Sequence, residues 1–192
     1  MAVLIPVKLE SLKQLVEPDQ FVLLSKYRAR RKYVLALRST NIEGLGVGVS
    51  EGYFVMLKLS LAFSAVEMLA RVISRKGQLG IQSEVVVKAI NVGKFDKLIA
   101  AIHNDNKRRF SKTHDADLNR WRNLSLDSDL TDFVYQCRNF IFHGSYTPTE
   151  TGLASSARLR ALVLDLAMST LDAGELALQN WVRKKSRTIP KK

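Results

Sequence analysis

Between Tyr53 and Arg75 the chain carries its most apolar stretch, with no Gly or Pro to interrupt it. A helix that is apolar nearly all round has no face to offer to water, so it belongs at the centre of a bundle. Among its polar exceptions, Ser60, Ser64, Glu67, Arg71 and Ser74 fall at spacings of four, three, four and three. That rhythm puts them on one narrow stripe of the helix. The stripe reads either as solvent-facing surface or as a polar seam turned toward a site or a partner helix.

The flanking segments read as helices too. Residues 1–18 read as an N-terminal arm, extended and then briefly helical, with Pro18 as its stop. From Asp19 to about Arg38 good helix formers dominate and no Gly or Pro intervenes. Residues 39–52, with Gly44, Gly46, Gly48 and Gly52, read as a loop. Its GLGVG spacing is no dinucleotide fingerprint, because no strand precedes it and the third glycine is misplaced. Gly77 and Gly80 close the apolar helix, and further helices are expected over residues 82–91 and from Lys94 to Phe110. The polar residues 111–127 suggest a loop with one or two helical turns. Asp127, Ser128 or Asp129 then caps a helix through Leu130, Phe133, Val134, Cys137 and Ile141. Gly144 and Pro148 mark a break before a long helix from about Leu153 to Arg183, with Leu159, Leu162, Leu166 and Met168 toward the core. Residues 184–192 read as a flexible basic tail. With no convincing strand, the expected fold is all-α: one domain over residues 1–192, a bundle of about five or six helices.

Lys and Arg number 30 against 18 Asp and Glu, a formal charge of +12. A field of that sign gathers polyanions, which makes nucleic acid the first partner to consider and an anionic membrane surface the second. Cys137 is the only cysteine. It excludes an intramolecular disulfide and a zinc site built on cysteines. Its place in an apolar helical pattern marks it as a buried structural thiol. The apolar run Ala2–Ile5 is broken by Pro6 and is too short for a signal peptide core. No window offers about 18 uncharged apolar residues for a transmembrane helix. A cytoplasmic setting without membrane is the expectation.

The segment Cys137-Arg138-Asn139-Phe140-Ile141-Phe142-His143-Gly144 holds a permanent cation, an amide and an imidazole close together. On a continuous helix Asn139 and His143, four apart, share a face. The long side chain of Arg138 reaches the edge of that face. Phe140 and Ile141 point into the core, and Gly144 ends the helix with His143 at its mouth. RNA can be cleaved without metal by its own 2′-hydroxyl. An imidazole suits the proton transfers near neutral pH. A planar guanidinium can hold two oxygens of the pentacoordinate phosphorus.

This segment resembles the Arg-x4-6-His motif of the HEPN superfamily, with four intervening residues and Asn139 directly after Arg138. Ser64-Ala65-Val66-Glu67 is similar to the family's second-helix pattern, in which an acidic residue faces the motif. The resemblance covers about Tyr53 to Val182. It implies a HEPN-like bundle and a metal-independent endoribonuclease that leaves a 2′,3′-cyclic phosphate and a 5′-hydroxyl, with no cofactor. Arg138, His143 and Asn139 would be catalytic, supported by Glu67 and Ser64. It further implies a homodimer with the motifs of two protomers facing each other, and a defence or toxin–antitoxin setting with an antitoxin or regulatory protein as partner. A toxin branch of the family has a Tyr two residues after the His, as a target for nucleotidylation. Here Tyr146 stands three residues after His143, which puts that regulation in doubt. The alternative is a non-catalytic HEPN-like module that binds RNA, nucleotide or a partner protein.

The remaining candidates are weaker. His103 and His114 are too isolated for a metal site. Arg30 and Arg31, with Lys26, Arg28 and Lys32, form one basic cluster. Lys107, Arg108 and Arg109, with Arg120 and Arg122 around Trp121, form another. Each reads as a solvated face or as a contact to RNA phosphates. Trp121 reads as a packing anchor or as a base-stacking platform.

Overall fold

The computed structural model describes residues 12–39, 42–73, 79–110, 121, 123–144 and 146–188, without the side chains of Lys107, Arg109, Phe110 and Thr188. Six helices are described: α1 (Pro18–Ala36), α2 (Val47–Ile73), α3 (Glu84–Asn91), α4 (Asp96–Phe110), α5 (Thr131–Phe142) and α6 (Ala157–Thr188). The architecture is an all-α helical bundle, as the sequence pattern predicts. Most of residues 1–18, residues 111–120 and residues 189–192 lie outside the described residues, and with them most of the N-terminal arm, His114, Arg120 and the end of the basic tail.

Helix α2 is the axis of the bundle, packed against α1, α5 and α6. Its buried residues include Phe54, Val55, Met56, Leu59, Phe63, Ala65 and Leu69, and they belong to one continuous core cluster. Burying each of the larger side chains contributes about 1.5–3 kcal/mol. By length and composition α2 would be long and apolar enough to cross a membrane, yet 61% of its apolar window is buried inside the bundle. Helix α1 runs antiparallel to α2, since Lys58 donates to the Leu37 carbonyl at 3.0 Å and Arg30 meets Ser64 further along. Helix α6 runs parallel to it, with Arg160 on Glu51 at one end and Gly174 against Val66 at the other.

The expected loop over residues 39–52 is corrected by the structure: α2 begins at Val47, so Gly48 and Gly52 are helical. Their role is close approach. A Cβ at Gly48 would run into the Ala154 carbonyl oxygen, and one at Gly52 would sit 2.5 Å from the Pro148 side chain. The start of α2 and the 147–155 turn therefore touch backbone to backbone. Gly48→Ala is expected to destabilise the fold by about 1–3 kcal/mol in a denaturant titration, because overpacking outweighs the helix propensity of Ala.

Helix α6 also differs from its expected limits. Ser156 caps its start, accepting from the Leu159 N–H at 3.1 Å, so the helix opens later than Leu153. It continues past Arg183 to Thr188, so residues 184–188 of the expected tail are helical. No Gly or Pro stands between Arg183 and Pro190, and Lys185 and Arg187 in its last turn favour the negative end of the helix dipole.

Trp121 is buried edge-on against Phe133, ring centres 5.3 Å apart. It is a packing anchor, and the stacking-platform alternative falls. Cys137 is buried, and burial pushes its thiol up, well above the ordinary thiol range. In the native chain it is expected to resist iodoacetamide and to label only on unfolding. Labelling at the rate of a free thiol would contradict this packing of α5.

Candidate active site on helix five

Helix α5 turns Phe133, Val134, Cys137 and Phe140 inward, and this apolar row fixes its rotation. None of the three expected caps is used: the N-cap is Leu130, and Asp129 just before it braces the start of the helix, its Oδ1 accepting from the Thr131 N–H at 2.8 Å and from the Ile81 N–H at 2.9 Å. The far end closes as the sequence suggests. His143 is the C-cap, its N–H on the Asn139 carbonyl at 2.9 Å, and Gly144 follows at φ +71, a left-handed conformation that suits glycine.

Arg138 and His143 are presented to different flanks of α5. Five residues on a helix amount to about 140° of rotation. Arg138 leans toward α2, where Nη2 donates to Glu67 Oε2 at 3.5 Å. Nη1 donates to Asn139 Oδ1 at 3.0 Å, and the guanidinium lies 5.1 Å from the ring centre of Phe142. Glu67 thus faces Arg138. The Asn139 side chain is tied to Arg138, although spacing alone placed it on the face of His143. The Nε–H of Arg138 is shielded and finds no acceptor among the described residues.

His143 leans toward α4, with Nδ1 3.4 Å from Asp105 Oδ2. Its side chain is 31% exposed, whereas that of Asp105 is only 6% exposed. Sequence reasoning missed Asp105. A signal was present: Leu98, Ile102 and Asp105 follow the helical spacing of four and three, so the carboxylate sits on the core-facing stripe of α4. Asp105 also borders a cavity of about 410 Å³ with Lys97, Asn104, Arg108 and Glu150. Arg108, one of the expected phosphate contacts, therefore lies on the His143 side of the site. A larger cavity of about 610 Å³ lies on the Arg138 side and is bordered by Glu67, Asp129, Asp132, Phe63 and Tyr135.

The other expected RNA contacts divide. Arg30 is exposed and donates to Ser64 Oγ at 2.6 Å. Ser64, expected as a support of the motif, thus reaches α1 rather than α5. Arg31 is turned inward, its Nε 3.5 Å from the buried Glu175, which Arg28 also holds at 2.9 Å. The side chains of Lys107 and Arg109 lie outside the described residues. Tyr146 is buried and donates to the Gly52 carbonyl at 2.8 Å, so its hydroxyl braces the start of α2. Burial pushes that phenol up. Among the described residues no three His, Cys, Asp or Glu side chains gather where a metal ion could be held.

No protein-family model, no curated protein and no solved structure matches the chain.

Proposed function

We propose that the chain is a metal-independent endoribonuclease of the HEPN type. The observation that carries this reading is the His143–Asp105 contact, a reachable imidazole held through Nδ1 by a nearly buried carboxylate. A carboxylate in that position orients the ring and favours the tautomer with its proton on Nδ1, which makes Nε2 the atom that exchanges protons with substrate. In the proposed reaction Nε2 takes the proton of the RNA 2′-hydroxyl. The 2′-oxygen attacks the adjacent phosphorus, and the P–O5′ bond breaks. The departing 5′-oxygen takes up a proton from solvent, leaving a 2′,3′-cyclic phosphate and a 5′-hydroxyl, and the imidazolium returns its proton to solvent. The planar fork of Arg138, which has donors beyond its contacts to Glu67 and Asn139, would hold the charge that builds on the phosphoryl oxygens.

Because Arg138 and His143 diverge around α5, pairing of two chains would complete the site, with Arg138 of one copy near His143 of the other. A two-fold homodimer is therefore part of this proposal. A toxin–antitoxin or defence role, with a regulatory protein as partner, follows from the resemblance alone. The non-catalytic alternative is favoured by the same divergence and by Glu67, which neutralises Arg138. Incubating the chain with generic RNA in EDTA and analysing the ends decides between them. Cyclic-phosphate and 5′-hydroxyl ends support the ribonuclease. Uncut RNA, or cutting that chelator abolishes, refutes it.

A further inference from the structure

The basic cluster on α1 separates into two sets with different tasks. Between Asp19 and Glu43 the chain has no carboxylate and six cations, Lys26, Arg28, Arg30, Arg31, Lys32 and Arg38. Arg28 and Arg31 face the core and clamp Glu175 of α6. Lys26 and Arg30 stay on the surface, and Tyr33, 56% exposed, continues their row. Their spacing of four and three makes one stripe, about 10 Å long. Such an aromatic, exposed beside cations on a stretch of helix without a carboxylate, differs from an ordinary solvated face.

The stripe is joined to the site already described. Arg30 meets Ser64 on α2, and one turn along the same face of α2 lies Glu67, which receives Arg138. Arg71, also exposed, extends that face by another turn. A path lined by guanidinium groups thus crosses α2 from α1 to the motif on α5, with Glu67 as the one carboxylate on that stretch of α2.

We infer that α1 is the entry track for single-stranded RNA, with Lys26 and Arg30 on phosphates and Tyr33 stacked on a base. The inference deepens the ribonuclease reading and rests on it for the identity of the polyanion. Two physical points select a single strand. A row of cations holds any phosphate backbone, but an exposed ring gains a base only where the base face is unstacked, which a duplex denies. Each base stacked on an aromatic side chain also strengthens binding substantially without demanding a sequence.

The test uses the full chain and a 2′-O-methyl RNA strand, which has no 2′-hydroxyl to attack and so reports binding apart from cleavage. Affinity is read by fluorescence anisotropy at several salt concentrations, for the single strand and for its duplex. Tyr33→Ala is expected to weaken single-strand binding by about fivefold to a hundredfold and to leave duplex binding unchanged. Arg30→Ala is expected to lower the salt slope by about 0.7, the value of one phosphate contact on a single strand. Wild-type binding by both variants overturns the inference, as does equal weakening of strand and duplex by Tyr33→Ala. So does an Arg30→Ala variant that loses phosphatidylserine vesicles but keeps the RNA strand, since the stripe would then meet a membrane. If the strand depends on Arg30 and Tyr33 while His143→Ala still cuts RNA, the cleavage assignment alone fails.

Discussion

Replacing His143 with Ala is expected to lower RNA cleavage by about 100-fold or more, the usual contribution of a general acid or base. The fold should survive, because His143 caps α5 through its backbone N–H, which Ala keeps, and its partly exposed ring fills no core space. Asp105→Asn tests the contact behind it. In the proposed reaction Asp105 acts by holding the imidazole, as a positioning residue. Its loss is expected to lower the rate and also to displace the pH–rate profile, which a merely structural role would not do. Arg138→Lys keeps the charge and loses the planar fork, so cleavage should be impaired there too. Circular dichroism of each variant separates lost chemistry from lost structure. Undiminished cleavage by well-folded His143→Ala would mean that the chemistry lies elsewhere in the chain.

The largest effect on stability is expected at Glu175, far from this site. Its carboxylate is fully buried where α1 meets α6, 2.9 Å from Arg28 and 3.5 Å from Arg31, with the Tyr27 hydroxyl donating at 3.5 Å. Burial and the Glu175 charge together push the Tyr27 phenol up, so it remains a donor. Glu175→Ala leaves two largely buried guanidinium groups without their counter-charge. Breaking such a pair costs about 3–5 kcal/mol. For a chain of this size the melting temperature should fall by about 10 °C. Arg30→Ala, only a few residues from Arg31 but on the surface, should change stability by no more than about 0.5 kcal/mol. Thermal unfolding of the two variants side by side checks both claims. Equal melting temperatures would show that the buried cluster contributes nothing.

The two experiments probe different layers of the same sequence. An apolar run without Gly or Pro determines a central helix locally, since period and propensity act within a few turns. The same holds for the apolar row of α5, for its stop at Gly144, and for the placing of Arg138 and His143 near one helix end. Glycine was legible only in part. Gly144 terminates a helix by its left-handed conformation, whereas Gly48 and Gly52 serve a contact with the 147–155 turn that no local pattern announces.

What only the tertiary structure decided is who faces whom. Asp105 and His143 are 38 residues apart in the chain, and Arg28 and Glu175 are 147 apart. Arg30 and Arg31 are neighbours in one basic run, yet one points to water and α2 while the other is committed to a buried acid. A step of one residue turns a helix by about 100°, so identical residue types side by side meet different surroundings once the helix is packed. The sequence by itself determined the helices and the residue types at their ends. Packing against α2, α4 and α6 decided which charges are committed to the core and which remain at the surface, because that choice depends on partners distant along the chain.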